Sequence, residues 1–129
     1  MLKVYLAVMA GGALGSAARL AVSLWMLEKF GDVFPMGTLV VNGTGSFLIG
    51  LVFGVTGPDG AWPMPALPRE FLMLGVLGGF TTFSSFSLQT LHLVHEGQWG
   101  MAAVNVLVSV ILCLVAVWLG SNLADVLKP

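Results

Sequence analysis

The chain has 129 residues, of which 57% are hydrophobic and only 9% charged, and its formal net charge is −1. Soluble domains carry roughly 25% charged residues, so the composition excludes an ordinary water-soluble fold and predicts one integral membrane domain over residues 1–129. The lack of basic excess removes a nucleic-acid footprint, and the single cysteine, Cys113 in an apolar stretch, removes an internal disulfide.

A membrane-crossing helix needs about 20 apolar residues, because each advances ~1.5 Å through ~30 Å of hydrocarbon. Four segments meet that requirement. The first covers about 2–27. Lys3 ahead of its apolar run imitates a signal peptide, but the run continues past Arg19 without a convincing cleavage site and more spans follow, so a retained helix is expected. The second covers about 36–56, after the breaker Pro35. Gly57 to Pro68 then holds four prolines and two glycines, the composition of a surface loop. The third span covers about 69–94 and the fourth about 99–126, joined by a short turn near His95 to Gln98. Trp25, Trp99 and Trp118 fall near predicted span ends, as interfacial anchors do. The expected fold is an all-α membrane protein with four transmembrane helices.

Gly11/Gly15, Gly50/Gly54 and Gly75/Gly79 are pairs of small residues one helical turn apart, which let helix backbones approach closely. They serve contacts within a subunit or between subunits. Both termini and the long loop share one side of the membrane, with Lys3, Arg69 and Lys128. The other side has Lys29, plus Arg19 if it snorkels. So weak a bias leaves a small chain free to insert either way up, which permits an antiparallel dimer.

The polar groups inside the spans carry the functional signal. Gly78-Gly79-Phe80-Thr81-Thr82-Phe83-Ser84-Ser85-Phe86-Ser87 places two glycines and five hydroxyls within the third span. Glycines weaken a helix, and each hydroxyl in hydrocarbon needs a partner. Irregular backbone at that depth is tolerated only where it is buried in protein or lines a wet path, so a helix break is expected at Gly78–Thr82. Carbonyls freed there suit a cation such as Na⁺. One loop alone under-coordinates it, whereas two copies about a twofold axis supply four oxygens.

Asn42 lies inside the second span, and Asn105, Ser109 and Cys113 recur every four residues on one face of the fourth. Phe80, Phe83 and Phe86, three residues apart, are expected to share a helix face. Aromatic edges carry partial positive charge, so with Ser84 and Ser87 they offer weak contacts to an anion that can also leave. Arg19 has three readings: pairing with helix-end carbonyls, snorkelling, or raising the potential of a pore mouth. His92, His95 and Glu96 have metal-like spacing but sit at a span end, where an exposed group is expected.

No Asp or Glu lies mid-span, which argues against a proton-coupled pump such as a small multidrug antiporter. A non-transporting assembly subunit would use the glycine pairs but not the clustered hydroxyls. No nucleophile–base pair or phosphate loop is present, so an enzyme is not expected.

Taken together these residues resemble the Fluc/CrcB family of fluoride channels. The resemblance covers nearly the whole chain: Gly11, Gly12, Gly15 and Arg19 in the first span, Gly37-Thr38-Leu39 with Asn42 in the second, and the ten-residue motif from Gly78 to Ser87 in the third. It implies a dual-topology antiparallel homodimer with two fluoride pores along its interface, in a multi-pass arrangement in a prokaryotic cell membrane. It implies a central Na⁺ held by carbonyls of Gly78 and Thr81 from each subunit. Phe83 and Phe86 match the family's pore phenylalanines, Asn42 its pore asparagine, and Ser84 and Ser87 its polar track. Thr82, Asn105 and Ser109 join the expected pore set. The implied activity is passive fluoride export conferring fluoride resistance. Gln89 stands where the family often has an acid, and Cys113 and Val117 where it often has Ser or Thr. Those departures keep a heterodimer with a related subunit open beside the expected homodimer.

Overall fold

Hydropathy and helix length agree on four crossings. The computed structural model describes residues 1–129, and four helical runs in it are long and apolar enough to span a bilayer. They make this a multi-pass membrane protein. The first is α1 (Leu2–Phe30) and the second α2 (Met36–Thr56). The third is segmented. It comprises α3 (Ala66–Glu70), a π-helical stretch (Phe71–Leu77), the single turn α4 (Gly78–Phe80), two extended residues, and α5 (Phe83–His95). The fourth is α6 (Trp99–Val126). Trp99 and Trp118 are both exposed, and at ~1.5 Å per residue they stand about 28 Å apart along α6, close to the hydrocarbon thickness.

The third span starts at Ala66, a few residues before the expected position. Pro68 falls in the first turn of α3, where its missing N–H removes no helical hydrogen bond. The preceding loop is less open than its composition suggests. It folds back over the end of α2: Trp62 N–H donates to the Val55 carbonyl at 3.0 Å and Met64 N–H to that of Thr56 at 3.1 Å. Arg69 fixes the junction, donating from Nε to Thr56 Oγ1 at 3.2 Å with its guanidinium 5.0 Å from the Phe53 ring centre. At the other side Gly97, with φ 75°, closes α5. Its N–H donates to Val94 O and that of Gln98 to Leu93 O, the paired bonds that end a helix on a left-handed residue.

Two helix contacts organise the bundle, and both run on glycine. α1 lies against the first half of the third span. A Cβ added at Gly11 would sit 2.6 Å from the Phe71 carbonyl, one at Gly79 would sit 2.6 Å from the Gly12 carbonyl, and one at Gly15 would strike the Val76 carbonyl. α2 lies along α6, where a Cβ at Gly50 would strike the Val117 carbonyl and one at Gly120 the Phe47 carbonyl. The three glycine pairs read from the sequence therefore serve packing inside the subunit. Few side chains are enclosed, with Val41 and Asn105 the largest that are fully buried. Most large apolar residues face outward, as suits a chain whose solvent is hydrocarbon.

Helix lengths are unequal. α2 has 21 residues and α6 has 28, about 31 Å against 42 Å. Where α1 turns into α2, the short helix leaves a bowl of about 460 Å³ lined by residues that include Asp32, Thr38, Gln89, His92 and Glu96.

The contact geometry yields a stability prediction. Gly15→Ala should destabilise the detergent-solubilised protein by about 2 kcal/mol or more, read as a lowered thermal midpoint. Gly100→Ala, whose added methyl meets nothing within 4 Å, should leave the midpoint unchanged or slightly raised. Equal midpoints for the two variants would show that the α1 contact is not tight.

Candidate functional site

The break in the third span is narrower than the sequence suggested, and its cause is different. Gly78 and Gly79 remain helical, and only Thr81 and Thr82 are extended, with φ/ψ of −82°/159° and −155°/118°. Gly79 serves close packing on Gly12. What opens the helix is Asn42 on α2. Its Nδ2 donates to the Thr82 carbonyl at 2.8 Å and its Oδ1 accepts the Thr82 N–H at 2.7 Å. In an unbroken helix that N–H would serve the Gly78 carbonyl. One side-chain amide thus replaces a stretch of helical pairing at a single peptide, a substitution hydrocarbon requires to be complete.

Thr82 also starts the next helix. Its Oγ1 accepts from Ser85 N at 3.2 Å, an N-cap of the kind that serves an otherwise orphaned amide. The same hydroxyl lies 3.2 Å from Ser84 Oγ and donates to Ser85 Oγ at 3.1 Å. Thr81 turns back, its Oγ1 donating to the Leu77 carbonyl at 3.0 Å. Arg19 reaches the break from α1, its Nη1 3.5 Å from the Thr81 carbonyl. Of its three possible roles, pairing with carbonyls of the broken helix is the one observed. Ser16 Oγ approaches the Gly79 carbonyl at 3.5 Å.

A groove of about 550 Å³ opens beside the break. It brings together Asn42, Gly78, Thr81, Thr82, Phe83, Phe86, Ser109 and Cys113. Phe83 stands out at 76% exposed while Phe86 is 8% exposed, and their ring centres lie 5.3 Å apart at a 50° tilt. One ring is an outward edge and the other a floor. Phe80 does not share their face, because the extended pair interrupts the helix between Phe80 and Phe83. Spacing by three holds only for the two residues after the break.

The other expected residues lie nearby with different duties. Asn105 is 1% exposed and donates from Nδ2 to Thr90 Oγ1 at 2.9 Å. Thr90 Oγ1 in turn donates to the Phe86 carbonyl at 2.8 Å, and Ser109 Oγ to Asn105 Oδ1 at 3.4 Å. This relay ties α5 to α6 behind the groove. Thr90 was missed in the sequence, where a lone threonine beyond the motif gives no periodic signal. Ser84 and Ser87 are exposed outside the groove lining, with Ser87 Oγ donating to the Phe83 carbonyl at 2.9 Å. At the end of α5, His92 Nε2 pairs with Glu96 Oε1 at 3.2 Å, both exposed. Gln89 Oε1 is buried and without a partner.

Asn42→Ala should remove both partners of the Thr82 peptide. The expected cost is about 2–4 kcal/mol, two buried hydrogen bonds. Amide exchange at Thr82 should accelerate at least tenfold while exchange in the middle of α6 is unchanged. Unaltered protection at Thr82 would mean that the break holds itself without Asn42.

Comparison with known proteins gives the family. The family described as CrcB-like protein, Camphor Resistance (CrcB), matches residues 6–121. A protein of Opitutus terrae named fluoride-specific ion channel FluC is 56% identical over 119 residues, covering 92% of this chain and 90% of its own. Proteins of the same name from Rhodospirillum rubrum and Methylocella silvestris are 55% and 49% identical, each covering at least 90% of both chains. With a family match over most of its length and relatives this similar end to end, the chain belongs to the CrcB family.

Proposed function

We propose that this protein is a fluoride-selective channel, formed by two copies packed antiparallel, that lets cytoplasmic F⁻ leave passively through two pores at their interface. The observation that carries the reading is the groove at the break. An amide clamp, hydroxyls and a phenylalanine pair converge on an outward face of a membrane protein, where bare lipid would leave polar atoms poorly matched. A second copy covering that face would turn an open groove into a closed path. The names of the relatives support fluoride as the ion and a channel, not an enzyme, as the class.

Fluoride is small and strongly hydrated, so transfer into hydrocarbon is prohibitive unless the water shell is replaced stepwise. The Phe83 and Phe86 rings offer edges with partial positive charge. Asn42, Thr82 and Ser109 contribute from the groove itself, and Ser84 and Ser87, exposed beside it on α5, would be brought onto the path by the second copy. None of these groups is a full cation in contact with the ion. Weak, repeated contacts favour entry without trapping, as conduction requires. Arg19, held near Thr81, adds positive potential at the break without lying in the groove lining. In a cell, HF enters as a neutral weak acid and dissociates near neutral pH, and the trapped anion leaves down its electrochemical gradient.

The residues fit the expected structural Na⁺. The Gly78 carbonyl loses its helical partner when Thr82 N–H turns to Asn42, and Thr81 is extended. A carbonyl oxygen has two acceptor sites, so Thr81 O can serve Arg19 and a cation together. Gly78 and Thr81 of each copy would supply the oxygen donors, and bound Na⁺ would contribute fixed positive charge and hold the two breaks together.

In liposomes loaded with fluoride, the purified protein should release F⁻ when a K⁺ ionophore offsets charge and should not release Cl⁻; equal release of both would remove selectivity. Phe83→Ile should slow fluoride efflux at least tenfold with the assembly retained on size exclusion. Wild-type efflux from that variant would reduce the phenylalanine pair to packing.

A further inference from the structure

Four hydroxyls line the groove: Ser46, Thr81, Thr82 and Ser109. Three are committed to the protein. Thr81 Oγ1 donates to Leu77 O, Thr82 Oγ1 to Ser85 Oγ, and Ser109 Oγ to Asn105 Oδ1. One N–H of the Asn42 amide is likewise committed to the Thr82 carbonyl, which leaves its second N–H. A donor already held by a protein acceptor must break that bond to serve an ion. Among the hydroxyls Ser46 is the exception: it is half-buried on α2 and lines the groove. Its hydroxyl makes no bond to the carbonyl one turn back, as Thr56 does at the end of the same helix.

We propose that Ser46 is a fluoride-contacting residue, supplying the free hydroxyl of the pathway. The inference rests on the channel reading above. Ser46 lies four residues after Asn42, hence one turn, or ~5.4 Å, farther along the same face of α2. Phe83, Phe86 and Cys113 line the same groove. An ion leaving the amide clamp and the phenylalanine edges would meet this hydroxyl next. A hydroxyl bound to an anion is worth more than one bound to a neutral acceptor. A rotatable O–H can accept the ion from one side and release it to the other without moving the backbone. The break therefore shapes the path, while a residue outside the ten-residue motif supplies the mobile donor.

The test uses the full-length protein in liposomes, with fluoride efflux as the primary readout and assembly by size exclusion beside it. Ser46→Ala should lower F⁻ efflux at least tenfold while the assembly stays intact, and Ser46→Thr, which retains the hydroxyl, should recover most of it. Efflux in Ser46→Ala equal to wild type would overturn the role of Ser46 and leave the channel reading standing. So would equal loss in both variants, since that would mark a steric effect. Absence of fluoride efflux from the wild-type protein would overturn both. If Ser46→Ala fails to assemble, Ser46→Thr and Ser46→Gly decide. Assembled Thr and Gly variants of equal efflux overturn the proposal, and a tenfold gap in favour of Thr supports it.

Discussion

Everything at the centre of this molecule depends on one two-point hydrogen bond. Asn42 holds both backbone polar groups of Thr82, its N–H and its C=O, at 2.7 and 2.8 Å. Hydrocarbon offers no water to replace a missing backbone partner, so a spanning helix can open only where another group takes over. With those groups held, Thr82 caps α5, Thr81 runs extended, and the carbonyl of Gly78 is released from helical pairing. Removing the clamp would not merely loosen a contact. It would leave a buried peptide the choice between an unsatisfied amide and a continuous helix that erases the groove.

The clamp works only because α2 and the third span are held at fixed distance, and Gly45 of α2 sets it, since a Cβ there would strike the Thr81 side chain. Gly11 and Gly15 seat α1 on the first half of the third span, while Gly50 and Gly120 seat α2 on α6. The π-helical stretch Phe71–Leu77 lies in that first contact. Such turns re-aim the chain beyond them and recur at functional positions, and here the break begins one helical turn later. The Asn105–Thr90–Phe86 relay fixes α5 against α6 from behind. The groove is thus open on one side and stiff on the other three.

Much of this is legible in the sequence. The four spans follow from apolar run length, the long loop from its prolines, and the polar anomaly in the third span from the cost of hydroxyls in lipid. Asn42 was visible as an amide where none is expected. Its partner was not, since pairing across forty residues leaves no local periodicity. Gly79 carries two readings in the sequence, a weak helix and a contact with a neighbouring helix, and the contact is what it serves, because a helical glycine and a hinge glycine look alike in one dimension. The Phe80–Phe83–Phe86 repeat misled for a related reason. Period arguments assume one continuous helix, and the extended pair resets the count. Thr90 and Ser46 lay outside the dense motif and carry no signal except through what their neighbours already bind.

The modest length of α2 has an electrostatic consequence. Transfer of an ion into a low-dielectric slab depends steeply on how much slab remains between the two aqueous phases. With α2 about 10 Å shorter than α6, the bowl at its beginning lies below the level reached by the longer helix. Water filling it would shorten the dry stretch an ion has to cross, and the beginning of α2, its positive pole, lines the bowl. Unequal helix lengths would in this way thin the barrier at one spot with no movement of any helix.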